Sequence, residues 1–107
     1  LEMERKLYRW QFDKLGIDIT DDEMELHLLI KNDEPIKSID TLKQIESWLL
    51  KIDNKNREVL IYDPKILSRV LFNRWLKVCL KASSIHFIMM YAFLTSKIGV
   101  QLLRSYL

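Results

Sequence analysis

Glycine and proline are nearly absent, with two of each in 107 residues. Sheet-rich folds need frequent turn residues and phosphate-cradling loops need glycines, so neither class is expected. Cysteine is scarcer still. Cys79 stands alone, so no internal disulfide is available, which suits a reducing, intracellular compartment. Long apolar runs are missing as well. The longest, residues 85–94 (IHFIMMYAFL), is ten residues with His86 as its interruption, and a bilayer-spanning helix needs about twenty. No stretch reads as a signal peptide, and no membrane partner is expected. Charge of one sign is also lacking: 17 Lys/Arg against 15 Asp/Glu leave a net +2. The pI of 8.7 falls short of the range above about 9 that marks dedicated nucleic-acid binders.

What is present is a hydrophobic fraction of 49% beside 30% charged residues, the balance of a folded globular chain rather than a disordered one. The length suits one domain, residues 1–107, with a core of its own. The opening Leu1-Glu2-Met3 suggests a cloning remnant or an excised fragment, hence one domain of something larger. Charge is unevenly spread. Residues 1–57 hold ten Lys/Arg and thirteen Asp/Glu, while residues 58–107 hold seven and two. A −3 half and a +5 half suit either docking on each other or an acidic partner for the second half, against the plainer reading of ordinary surface charge.

Apolar periodicity places helices along the whole chain. Met3, Leu7, Tyr8, Phe12 and Leu15 recur at spacings of three and four, and Gly16 stands where a helix ends in the left-handed conformation. Thr20-Asp21-Asp22-Glu23 has the form of a capping box and predicts a second helix to about Lys31. Ser38 or Asp40 caps a third, to about Asp53, with Leu42, Ile45, Leu49 and Ile52 as its stripe and Trp48 on the flank. The polar run 53–56 reads as a loop, and EVLIY (58–62) as a short helix or packed turn, since no other segment offers a partner strand. Asp63-Pro64 starts a fourth helix to about Ala82. Its Leu67, Leu71, Trp75, Val78 and Cys79 share one side, with Val70, Leu76 and Leu80 intruding among the charges opposite. Ser83-Ser84 caps residues 85–94, which are apolar all round and so belong in the middle of a core. A last helix follows from about Thr95, weakened by Gly99 by about 1 kcal/mol. The expected fold is all-α, a compact bundle of five or six short helices around a buried central one.

Few residue groups suggest chemistry. Glu23 and His27 lie one helical turn apart, with Asp21 and Glu25 near, but Met24 occupies the place where a helical Glu-x-x-His metal site would have its carboxylate. A surface histidine paired with Glu23 is the better reading. Cys79 and His86 could be matched as nucleophile and base, yet no third group orients them, and no hydrolase, metalloprotease or Walker sequence occurs. No enzyme and no cofactor are expected. Met89, Met90, Tyr91 and Phe93 form either core or a pliable groove. The clearest surface feature is Lys65, Arg69, Lys77 and Lys81 along the fourth helix, with Asn73 in the gap and Arg74 beside it. Such a stripe grips an acidic peptide or phosphates, unless it is simply a solvated face. Among Trp10, Trp48 and Trp75, the last two lie at stripe edges, where interface anchors or the margin of a core would be.

Leu71-Phe72-Asn73-Arg74-Trp75-Leu76-Lys77, an apolar helix, and then Thr95-Ser96-Lys97-Ile98-Gly99 leading to Leu102 resemble the helical domain at the N-terminus of transcription elongation factor TFIIS and its relatives. The likeness covers about a third of the chain. Ser105 departs from the family's apolar pattern, and the closing Trp-bearing helix is missing. The resemblance implies a nuclear, non-enzymatic scaffold that docks short disordered motifs. The reading that results is a protein-interaction module in transcription or chromatin. It takes an acidic or amphipathic segment, with Lys65, Arg69, Lys77 and Lys81 steering and Trp48 or Trp75 anchoring. The alternatives are a helical homo-oligomeric accessory or viral protein, and a weak nucleic-acid binder using the same stripe.

Overall fold

The computed structural model describes residues 2–36, 38–81 and 101. Among them the fold is all-α, with four helices rather than five or six and no strand: α1 (Glu2–Lys14), α2 (Asp21–Lys31), α3 (Ile39–Val59) and α4 (Pro64–Lys81). The expected central helix at 85–94 and the last helix lie outside the described residues. Within those residues the middle position belongs to α3, which packs against α2 and against α4.

Local chemistry fixes the helix ends. Gly16 adopts φ +75° after α1, and its N–H donates to the Asp13 carbonyl at 3.0 Å. The extended link that follows buries Ile17 and Ile19 and exposes Asp18 and Thr20. Thr20 then caps α2. Its side-chain oxygen accepts from the Glu23 N–H at 3.1 Å, and the Glu23 carboxylate accepts from the Thr20 N–H at 3.0 Å, closing the reciprocal box. Ser38 caps α3 by accepting from the Thr41 N–H at 3.4 Å. Asp63 caps α4, accepting from the N–H groups of Lys65 and Ile66 at 2.9 and 3.0 Å.

The α3 stripe of Leu42, Ile45, Leu49 and Ile52 is buried as its spacing requires, and α4 buries Leu71, Trp75, Val78 and Cys79. Helix α1 contributes less. Phe12 and the following Leu15 are buried, whereas Met3 and Leu7 of the same periodic set stay exposed. Exposed ion pairs join α1 to α2: Arg5 to Glu25 at 2.6 Å, Arg9 to Asp21 at 3.2 Å, and Lys31 to Glu4.

One expectation is overturned. Residues 53–56 are not a loop, because α3 continues through them to Val59. Asp53 and Asn56 are fully buried, which a polar run in water-facing turns would not be. Asp53 accepts from the Ser68 hydroxyl of α4 at 2.6 Å and from Arg57 Nε at 3.1 Å, and also from Gln101 Nε2. Arg57 in turn donates to the Ser68 oxygen at 3.0 Å. Asn56 holds the following corner from inside: its amide donates to the Tyr62 carbonyl and its oxygen accepts from the Tyr62 N–H, each at 2.9 Å. These partners satisfy groups whose burial would otherwise be costly.

The clamp also explains a backbone feature. Leu60 caps α3 in the left-handed conformation, φ +57°, with its N–H donating to the Asn56 carbonyl at 2.6 Å. Glycine is the usual residue there. Two substitutions should therefore move stability in opposite directions. Asn56→Ala loses both bonds and leaves the Tyr62 groups unpaired, a loss of about 2–3 kcal/mol. Leu60→Gly removes the left-handed penalty and gains about 0.5–1 kcal/mol. Urea unfolding of the three proteins measures both, and a destabilised Leu60→Gly would show that the leucine packs in a way its exposure does not reveal.

Candidate functional site

Eighteen residues of α4 carry Lys65, Arg69, Arg74, Lys77 and Lys81 and no Asp or Glu. Because Ser68, Leu71, Trp75, Val78 and Cys79 turn one side of the helix inward, the 100° advance per residue fixes the outward side. Lys65, Arg69, Asn73 and Lys77 are exposed on it, and the helix ends at Lys81. Lys65 and Lys77 make no ion pair among the described residues.

The tryptophans do not join this surface. Trp48 is 2% exposed and Trp75 1%, so both are core side chains and neither is a surface anchor. For Trp48 the cover is visible: Phe12 of α1 and His27 of α2 lie against its ring. Trp10 is the exposed tryptophan, and the Lys14 ammonium sits 3.6 Å above its ring. The apolar part of the outward face comes from other residues. Ile66, Val70 and Leu80 are exposed among the charges of α4, and Leu60, Ile61 and Tyr62 are exposed at the corner that leads into it. Of the residues that intrude by spacing, Val70 and Leu80 are exposed and Leu76 is half-buried; Ile66 and the corner residues were not marked by spacing.

A cavity of about 260 Å³ opens on the flank of the same helix. Phe12, Leu15, Ile30, Leu49, Ile52 and Leu71 are among its walls, Val70 and Arg74 stand on the α4 side, and His27 lines it from α2. No carboxylate lines it. A second, more open groove of about 970 Å³ lies between α2 and α3, where charges of both signs, including the Lys51–Glu23 pair at 2.8 Å, line it.

No protein-family model matches the chain, and no curated protein or solved structure matches it either. Residues that carry the resemblance to the TFIIS domain beyond Lys81 fall outside the described set, apart from Gln101, as do His86, Met89, Met90, Tyr91 and Phe93. Among the described residues no three His, Cys, Asp or Glu side chains are placed to hold a metal ion. No helix among them is long and apolar enough to cross a membrane. The Cys79 thiol is buried, and burial pushes it up to about 12, so it stays protonated at neutral pH.

His27 departs from its expected place. It is not a surface group paired with Glu23, whose carboxylate is engaged by Thr20 and Lys51. Its ring lies inside an aromatic cluster, edge-on to Tyr8 at 4.7 Å, to Phe12 at 5.0 Å and to Trp48 at 6.1 Å. Trp48 Nε1 donates to His27 Nδ1 at 3.3 Å, which requires that nitrogen to be unprotonated. Burial pushes the imidazole down to about 4, the Arg74 guanidinium adds to the effect, and the Glu4 charge opposes it.

The consequence is a pH dependence of stability. An unfolded chain takes up the His27 proton near pH 6.5, whereas the folded chain resists it until about 4. The stabilisation is fully present above pH 6.5 and is lost as pH falls toward 4, amounting to about 3 kcal/mol at the bottom of that window. His27→Gln, which keeps an acceptor but has no titrating group, should flatten the His27 contribution. Urea midpoints at pH 7.5, 6, 5 and 4 for both proteins supply the comparison, with parallel curves as the opposing result.

Proposed function

We propose that the chain is a non-catalytic protein-interaction module that docks a short acidic, amphipathic segment along the outward face of α4. The supporting observation is the composition of that face: five Lys/Arg and no acid in the helix, interleaved with exposed Ile66, Val70 and Leu80. Cations alone would fit phosphates equally well. Apolar side chains between them favour a partner that has both charge and a greasy stripe, as an amphipathic helix does. Leu60 supports the same reading. A leucine 61% exposed in a left-handed position gains nothing from packing and is disfavoured by its backbone, and such local inconsistencies concentrate where function selects the residue. In this reading Lys65, Arg69, Lys77 and Lys81 steer the partner, while Ile66, Val70 and Leu60 take the anchoring role first considered for the tryptophans. The setting would be intracellular. A place in transcription or chromatin rests on the resemblance to the TFIIS domain, whereas further helices from residues 85–94 and beyond rest on their apolar pattern and caps.

Charge reversal separates the partner classes. A fluorescein-labelled acidic peptide of alternating Glu and Leu/Phe helical stripe should bind the wild type in low salt. Lys65→Glu with Lys77→Glu should weaken it at least about tenfold, on the scale of 1.4 kcal/mol per decade. Labelled single-stranded and duplex DNA are run in parallel over a salt series. Binding of DNA with a steep salt slope and none of the peptide would transfer the α4 face to nucleic acid.

A further inference from the structure

The cavity beside α4 is continuous with the outward face, because Val70 and Arg74 belong to both its rim and that helix. Its volume of about 260 Å³ lies under the 300–1,000 Å³ of ordinary small-molecule sites, and so suits one large side chain rather than a whole metabolite. Its chemistry is asymmetric. The walls are aliphatic and aromatic, and the polar groups at its edge include Arg74, Lys31 and the neutral His27, with no carboxylate among the lining residues. Lys31 is already bonded to Glu4, whereas Arg74 makes no ion pair among the described residues. An apolar ring seated against Phe12, Leu49 and Leu71 would therefore place any neighbouring carboxylate beside an available guanidinium.

We propose that this cavity receives a single phenylalanine-sized side chain of the acidic segment docked on α4, with a flanking carboxylate of that segment paired to Arg74. The proposal rests on the docking reading above and deepens it: α4 contributes charge for capture, and the cavity selects which segments stay. His27 suits this role because it stays neutral, so the lining adds no charge beyond Arg74 and the Glu4-paired Lys31. Selectivity then lies in shape and in one guanidinium.

The test uses the acidic peptide in two forms, one with a central Phe beside Glu and one with Ala in its place. Against the wild type the Phe form should bind about ten- to a hundredfold more tightly, the effect of burying one large apolar side chain. It should also shift the methyl resonances of Leu49, Ile52, Leu67 and Leu71. Leu67→Trp, which narrows the cavity from its half-buried wall, should erase the difference between the two peptides. Arg74→Gln, at an exposed position and without a reversed charge beside His27, should weaken the Phe form by about tenfold and keep the variant series informative if Leu67→Trp does not fold. Equal affinities for the two peptides, both lost in the Lys65→Glu, Lys77→Glu protein, would overturn the cavity as a seat and leave the α4 surface standing. Absence of binding by either peptide at low salt would overturn both. A third arm adds 3-phenylpropionate, a free anion of the same chemistry. Saturable binding of it in the cavity, undisturbed by excess Phe peptide, would overturn the peptide as occupant.

Discussion

The buried carboxylate of Asp53 governs how the second half of the described fold is assembled. A carboxylate with no contact to water is tolerated only when its lone pairs are filled, and here Ser68, Arg57 and Gln101 fill them. Two of those partners come from outside α3. The bond to Ser68 fixes where α4 crosses α3, since a displaced α4 would strand both the hydroxyl and the carboxylate. One turn further on, Asn56 binds both polar groups of Tyr62, so the end of α3 is held by side-chain chemistry where glycine is usual, before Pro64 opens α4. A sequence with two glycines thus makes this corner out of an asparagine and a left-handed leucine. Such a corner is specific rather than cheap, because hydrogen bonds define one geometry where apolar packing would accept several.

The first half is organised by different means. Helix α1 buries only Phe12 along its length and relies on the Leu15, Ile17 and Ile19 segment behind it, together with ion pairs to α2. Exposed pairs of this kind each contribute little. The firmer attachment is the aromatic cluster, in which Tyr8 and Phe12 of α1 meet His27 of α2 and Trp48 of α3. Edge-to-face contacts of this type add to area burial. The Trp48 bond to Nδ1 also requires that nitrogen to stay unprotonated, and this ties the cluster to the protonation state of one residue. Charge on His27 would meet the Arg74 guanidinium and break the Trp48 bond together.

Much of this was legible in the residues, and what was hidden has a common cause. The Thr20–Glu23 box, the Asp63-Pro64 start, the Gly16 stop and the Leu42–Ile45–Leu49–Ile52 stripe are all local, with every partner within a turn or two. The helix was read as ending at Asp53 because Asp-Asn-Lys-Asn has the composition of a loop. Its true state depends on Ser68 and Gln101, which are 15 and 48 residues away. His27 was misplaced for the same reason: helical spacing offers Glu23 as a neighbour, while the groups that surround it lie on α1 and α3. Trp48 and Trp75 sit at the margins of their stripes on a helical wheel, and a wheel cannot show that a second helix covers the margin. The basic stripe, by contrast, was legible because exposure follows from the opposite side being buried.

The division of labour within α4 carries the functional argument to its last step. Its inward side holds the polar tie to α3 and the Trp75 and Cys79 packing. Its outward side holds cations and scattered apolar groups that no described element covers. A helix already folded and packed on one side has less left to order when a partner arrives, so most of the ordering cost falls on the partner segment. An acidic amphipathic segment suits that arrangement because its charges are attracted before it folds and its apolar stripe is rewarded only once it has folded. Nucleic acid would use the first property and waste the second. Exposed Ile66, Val70 and Leu60 beside Lys65 and Lys77, which make no ion pair among the described residues, are therefore the feature that weighs toward a protein partner.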